Sequence, residues 1–252
     1  MAVSLSDFGI GQAGTKSHIT YLGLGLIATG SGSQNANGFG GSMQKNTPQL
    51  WDGVWAIPNS PEKNVFVLAN EERTASWQRI ENYILRKFPT FAGLKVAEIG
   101  AGMGTNSALM AKRGAEVTII DYSDQALAMS RLFYEQNGIS AQFVKQDVLA
   151  LPTSMHGTFD LAMSFGFAEH FVGSQRHQIL NAHIDLICTG GLAVISVPNR
   201  YCPPYRIYKL VAETAHRWPV GIEVPFSRHE LRLFCKNADI SDYEITGDSF
   251  IY

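Results

Sequence analysis

Three glycines alternate with other residues through "AEIGAGMGTN" (97–106), and Glu98 stands two positions before the first of them. Glycine at Gly100, Gly102 and Gly104 lets the backbone of a turn approach a ligand more closely than any side chain would permit. Phosphates are the usual ligands of such turns, yet a carboxylate at Glu98 would repel a pyrophosphate. The dinucleotide fingerprint G-x-G-x-x-G also fails, because its third glycine position holds Thr105. A ligand that carries a sulfonium and an ammonium group has the opposite preference. A carboxylate at the shoulder of the turn can accept a charge-assisted hydrogen bond from the ammonium, worth about 1.5–3 kcal/mol.

The elements that must hold this turn follow from the pattern around it. "LKVAEIG" reads as a short apolar strand, and "TNSALMAKRG" as a helix closed by Gly114. "EVTIIDY" is a second strand, after which Ser123 caps a helix with Met129, Leu132 and Phe133 on one face. "AQFVKQD" and "FDLAMSFG" are a third and a fourth strand. Ile179, Ala182, His183, Leu186 and Ile187 make a helical stripe stopped by Gly190-Gly191, with His183 as a core histidine, and "LAVISVP" is the fifth strand. This alternation predicts an α/β fold, a doubly wound, mostly parallel, Rossmann-like sheet with helices on both faces. Ligands of such sheets sit beyond the carboxyl ends of the strands. The residues at those ends are the three glycines, Asp121-Tyr122, Asp147-Val148 and Ser164-Phe165, with Glu169 and His170 just after the last pair.

Upstream, the chain divides into a Gly/Ser-rich flexible segment (1–48), a lid or helical region (49–93) and the sheet domain (94–252). Ser31 to Ser42 has the composition of a linker. "LWDGVWAIP" carries Trp51 and Trp55, "NVFVLA" is a short β-like run, and Asn70 to Phe88 has helical spacing. The apolar run Ile19 to Thr29 is too short to span a bilayer, and no basic charge precedes Lys16 as a signal peptide requires. With 20 Lys+Arg against 22 Asp+Glu, no nucleic-acid footprint stands out. Three separated cysteines fit neither a disulfide framework nor a zinc site, so the expectation is a cytoplasmic protein without a metal.

"VAEIGAGMGTN", Asp121 ending the second strand, "QDVLALP" and "FDLAMSFGFAEHF" resemble class I S-adenosylmethionine-dependent methyltransferases. The acid-histidine pair and "PFSRHEL" are similar to the small-molecule branch that includes quinone methyltransferases. The resemblance runs from about Asn70 onward. It implies S-adenosylmethionine as cofactor, with Gly100, Gly102 and Gly104 against its methionine and ribose portion and Glu98 near its ammonium. Asp121 would accept from both ribose hydroxyls, and Tyr122 would pack beside the adenine. Asp147 would take the adenine amino group and Val148 would lie against the ring, with Ser164 and Phe165 at the methyl-bearing end.

The implied activity is in-line methyl transfer to an oxygen or nitrogen of a small-molecule acceptor, which needs no metal. His170 is placed to remove the acceptor's proton, with Glu169 to orient it or serve instead. Asn199 to Tyr208, including Tyr201 and Tyr205, is one candidate acceptor wall, and the Trp51/Trp55 segment, closing as a lid, is another. "NRYCPPYRIYK" also starts a helix whose face is Ile207, Leu210 and Val211. The family's sheet ends in an antiparallel pair, for which "ISDYEITGDSFIY" supplies one strand. Either the sequence is cut short there, or Ile19 to Thr29 fills the missing place; failing both, a bare edge favours a homodimer. Two competing functions are a nicotinamide-dependent oxidoreductase, opposed by Glu98 and Thr105, and a non-catalytic methyltransferase-like interaction protein.

Overall fold

The computed structural model describes residues 18–22, 46–56, 61–215, 218 and 220–247. Seven strands form one sheet: β1 (His18–Leu22), β2 (Lys95–Ile99), β3 (Glu116–Asp121), β4 (Gln142–Lys145), β5 (Phe159–Phe165), β6 (Ile187–Ser196) and β7 (Glu244–Ile245). Their order is β4-β3-β2-β5-β6-β1-β7, and every pair is parallel. The order reverses between β2 and β5, so the crevice for a ligand opens beyond their carboxyl ends.

Alternation along the strands builds a core on each face. Val96, Ile119, Leu161, Met163 and Val194 point to one side. There they meet Trp77, Ile80 and Ile84 of α3 (Ala75–Lys87), Leu109 and Met110 of α4 (Thr105–Ala111), and Phe133 of α5 (Asp124–Gln136). Ala97, Ile120, Ala162, Ala193 and Ile195 point to the other side. Their partners are Ile179 and Leu186 of α6 (Ser174–Leu186) and Leu231 and Phe234 of α8 (Arg228–Asn237). Thr74 caps α3, Ser123 caps α5, and Ser227 with Glu230 forms a capping box on α8.

Several expectations change here. "NVFVLA" lies within helix α2 (Pro61–Glu71) and is no strand. Its β-prone residues suggested one, but Asn64 and Leu68 are buried at helical spacing while Val65 and Phe66 face outward. The α6 stripe ends at Leu186, and Ile187 already belongs to β6. Gly190 and Gly191 do not stop the helix; they lie within β6, at the register irregularity opposite Phe159 to Leu161. A Cβ on Gly191 would come within 2.7 Å of the Ile187 side chain.

Beside β6, where an antiparallel pair was expected, β1 runs parallel, with Ile19 opposite Ala193 and Leu22 opposite Ser196. The rest of Ile19 to Thr29 and the linker Ser31 to Ser42 lie outside the described residues. β7 pairs with the outer side of β1. No helix among the described residues is long and apolar enough to cross a membrane.

Candidate active site

The glycine turn is braced from below. The N–H of Gly100 donates to the Ile120 carbonyl and that of Gly104 to Ala101. Ser130 Oγ donates to the Gly102 carbonyl, and Tyr134 Oη and Ser107 Oγ both donate to that of Gly104 at 3.1 Å. Gly104 stands at φ 68°, the left-handed region that L side chains avoid, and from there α4 begins. Glu98 turns into this support and does not line the cavity described below. It is 2% exposed and accepts the Ser107 N–H at 3.1 Å, in the first turn of α4. Burial pushes its carboxyl up to about 7, against the lowering effect of the Ser107 bonds.

A cavity of about 230 Å³ opens at the carboxyl ends of β2, β3 and β4. Gly100, Asp121, Tyr122, Asp147 and Val148 line it, so five of the expected cofactor residues share one space. Asp121 is held by the backbone N–H groups of Ser123 (2.9 Å), Gly102 and Tyr122, and burial still raises its carboxyl to about 6. Asp147 is exposed and caps the short turn Val148–Ala150 through the Leu149 N–H at 2.9 Å, with its second oxygen outside that bond. Phe167, Phe171, Gln146 and Asn46 also line it without having been expected there.

The volume lies below the roughly 300–1,000 Å³ of ordinary small-molecule sites. Two aromatic rings lie on the glycines. A Cβ on Gly100 would sit 2.0 Å from the Phe167 ring, and one on Gly102 would sit 2.3 Å from Trp55.

Trp55 belongs to α1 (Pro48–Trp55), a helix capped by Thr47 and started by Pro48. It is tied over the strand ends at four points. Asp52 accepts from Ser123 Oγ at 2.6 Å and from the Gln125 N–H at 3.3 Å, at the N-terminus of α5. Asn46 Oδ1 accepts from Tyr122 Oη at 2.9 Å and from Trp51 Nε1. The Trp51 ring meets His170 edge-on, with centroids 4.7 Å apart. Trp55 is the fourth tie. Asn46 and Asp52 were missed in the sequence, since an isolated polar residue beside two tryptophans carries no spacing signal.

After β5 the chain makes the short turn Ala168–His170, which buries both residues expected to move a proton. His170 Nδ1 donates to the Ile222 carbonyl at 2.8 Å, and the Gly166 carbonyl is a second neighbour. Burial lowers the imidazole to about 4, so it is neutral at pH 7. Glu169 is pushed well above the usual carboxylate range, first by burial and then by Glu223. Ser164 is fully buried and bonds His183 Nε2 at 2.9 Å, while His183 Nδ1 donates to Ile179. It therefore lies beneath the site, and Phe165 packs against the α3–α4–α5 core.

Of the expected acceptor residues, Tyr205 donates to the buried Glu223. Asn199 pairs with Phe226 and accepts the Tyr201 N–H at 2.9 Å, and Tyr201 is exposed. Among the described residues, no group of three or more acidic, histidine or cysteine side chains is arranged to hold a metal ion.

Residues 96–191 match the family described as a methyltransferase domain. Curated relatives include ubiquinone biosynthesis O-methyltransferases of Azotobacter vinelandii (30% identical over 149 residues, 59% of this chain and 61% of that one). The enzyme of the same name from Ruegeria pomeroyi is 31% identical over 152 residues, 60% of this chain and 58% of that one. The chain thus spans about three-fifths of the length of these relatives. Two solved structures share the fold at 16% identity. One is the magnesium protoporphyrin IX methyltransferase of Synechocystis PCC 6803 with bound SAH (TM-score 0.50, covering 75% of this chain and 81% of that one). The other is the PH0226 protein of Pyrococcus horikoshii OT3 (TM-score 0.51, 66% and 82%).

Proposed function

We propose that this chain, a class I S-adenosylmethionine-dependent methyltransferase by its domain of residues 96–191, transfers a methyl group to a hydroxyl oxygen of a small-molecule acceptor. One observation carries the reading: Gly100, Asp121, Tyr122, Asp147 and Val148, from three separate strand ends, line a single cavity. The cavity fits an adenosine, with a carboxylate for its hydroxyls at Asp121 and another for its amino group at Asp147. The glycine turn fits the methionine end, since its Cα atoms are open to close approach once Phe167 and Trp55 give way. When bound, S-adenosylmethionine supplies an electrophilic methyl group.

The chain's own residues then have three tasks. The turn and Asp121 fix the donor, and holding two reactants at near-attack distance can contribute about 7–11 kcal/mol. Helix α1 acts as a lid that excludes water, with Trp51 reaching His170 and Trp55 the glycines. Glu169 serves in place of His170 as the receiver of the acceptor's proton, since the neutral His170 beside it is held by the Ile222 carbonyl. The relatives named ubiquinone biosynthesis O-methyltransferases support an oxygen nucleophile. The non-catalytic alternative predicts cofactor binding, or none, without turnover of any acceptor. A homodimer through a bare β6 edge finds less support, since β1 occupies that edge.

Calorimetric titration tests the core of this reading. The chain should bind S-adenosylhomocysteine and not NADH, and Asp121→Ala should weaken the former by about 10–100-fold, the value of hydrogen bonds to a charged group. Unchanged affinity in that variant, or binding of NADH alone, would overturn it.

A further inference from the structure

Helix α5 carries a line of hydroxyls along a face that is otherwise apolar. Ser123 at its N-cap, Ser130 and Tyr134 are spaced by seven and four residues. At about 100° per residue, that spacing keeps all three within about 40° of one another. All are buried, among Ala126, Leu127, Met129 and Phe133. A hydroxyl in such surroundings costs free energy unless a partner meets it. Here the partners belong to the candidate cofactor site. The Ser123 N–H donates to Asp121 at 2.9 Å, and its Oγ donates to Asp52 of α1 at 2.6 Å. Ser130 Oγ donates to the Gly102 carbonyl. Tyr134 Oη donates to the Gly104 carbonyl at 3.1 Å and lies 2.7 Å from Ser107 Oγ. One helix face thus reaches the carboxylate expected for the ribose, the lid, and two of the three turn glycines.

The turn needs such support. Gly100, Gly102 and Gly104 all stand at positive φ, at 59°, 55° and 68°. Glycine is unstrained there, yet it has more backbone freedom to lose than any other residue. A peptide unit is planar and trans, so a hydrogen bond to its carbonyl orients the whole plane. Ser130 orients the plane that follows Gly102, and Tyr134 the plane that follows Gly104. Both hydroxyls are buried in the core, so they act on a ligand only through the turn.

We propose that Ser130 and Tyr134 are positioning residues for the amino-acid end of the cofactor, setting in advance the two peptide planes against which that end lies. The proposal rests on the methyltransferase reading and deepens it. A turn ordered before the ligand arrives spares the binding step that loss of entropy, which is how preorganisation raises affinity. The adenosine end is served by Asp121 and Asp147, whose carboxylates accept from the N–H groups of Ser123 and Leu149. Those bonds involve neither hydroxyl, so the two ends of one ligand are held by separable devices. Loss of either hydroxyl returns freedom to one glycine and weakens the hold on the end that rests on the turn.

The test compares two ligands on the full chain by calorimetric titration. S-adenosylhomocysteine carries both ends, whereas 5′-methylthioadenosine keeps the adenosine and lacks the amino-acid end. Ser130→Ala and Tyr134→Phe should each weaken S-adenosylhomocysteine binding by about tenfold, the worth of one hydrogen bond. Binding of 5′-methylthioadenosine should stay within about twofold in both, as for independent sites, and this also reports folding. Each variant acts on a different glycine, so either one that folds decides the outcome. A residue that merely supports the fold would move both ligands together or neither. Equal losses for the two ligands, or wild-type affinity for S-adenosylhomocysteine in the variants, would therefore overturn the proposal. A wild type that binds neither ligand would instead overturn the methyltransferase reading, and this proposal with it.

Discussion

At the scale of single residues, Glu98 couples stability to pH through one proton. Its folded pKa of about 7 lies above the ordinary 4.5, so its stabilising contribution is complete below about pH 4.5 and is lost as pH rises through 7. The loss amounts to roughly 3 kcal/mol by pH 8, at about 1.4 kcal/mol for each pH step between the two values. Glu98→Gln should flatten this fall, and urea unfolding at pH 5 and pH 8 measures it; equal pH dependence in variant and wild type would contradict the buried-carboxyl account. If the ionised carboxylate also serves the donor's ammonium, S-adenosylhomocysteine affinity rises through pH 7 in the wild type and stays level in the variant. Gly100, Asp121 and Asp147 were legible in the sequence because each is tied to a strand end, and strand ends are marked by local patterning. The bond from the Val224 N–H to the Glu169 carbonyl was not, because it joins segments more than fifty residues apart in the chain.

At the scale of elements, α1 and α7 (Pro203–Thr214) share one problem: a face is readable in the sequence, but its partner is not. The spacing of Ile207, Leu210 and Val211 predicts a helix, and α7 is one, but that stripe faces away from the body. Periodicity identifies a face without saying what covers it. In α1 one of the anchors is Asp52, which places a carboxylate at the N-terminus of α5, where the helix dipole favours negative charge. Asp52→Ala should lower global stability by only about 1 kcal/mol, as removal of a cap does. It should accelerate limited proteolysis between α1 and α2 and speed release of S-adenosylhomocysteine several-fold. A variant with wild-type proteolysis and release rates would mean that Trp51, Trp55 and Asn46 hold α1 unaided.

For the molecule as a whole, the parallel sheet was legible wherever helices alternate with strands, since parallel neighbours need a crossover and a helix supplies it. It was not legible at the end of the sheet that β1 completes, because a strand from the start of the chain joins it by a long-range pairing that no neighbouring residues announce. β1 is paired on both sides, to β6 through Leu192–Ser196 and to β7 through Thr20 and Tyr21. Removing it therefore frees the whole outer edge of β6 and leaves β7 without its neighbour. A flat, apolar edge of unpaired N–H and C=O groups recruits another chain. Deleting residues 1–22 should lower the melting temperature and produce concentration-dependent self-association in sedimentation velocity. Thr20→Pro, which removes one donor from the middle of the strand, should act in the same direction and more weakly. S-adenosylhomocysteine binding should persist in both variants while they remain folded, because the cavity is built on β2, β3 and β4 at the far side of the sheet. A truncated chain that melts like the full one and does not self-associate would show that the edge of β6 needs no cover.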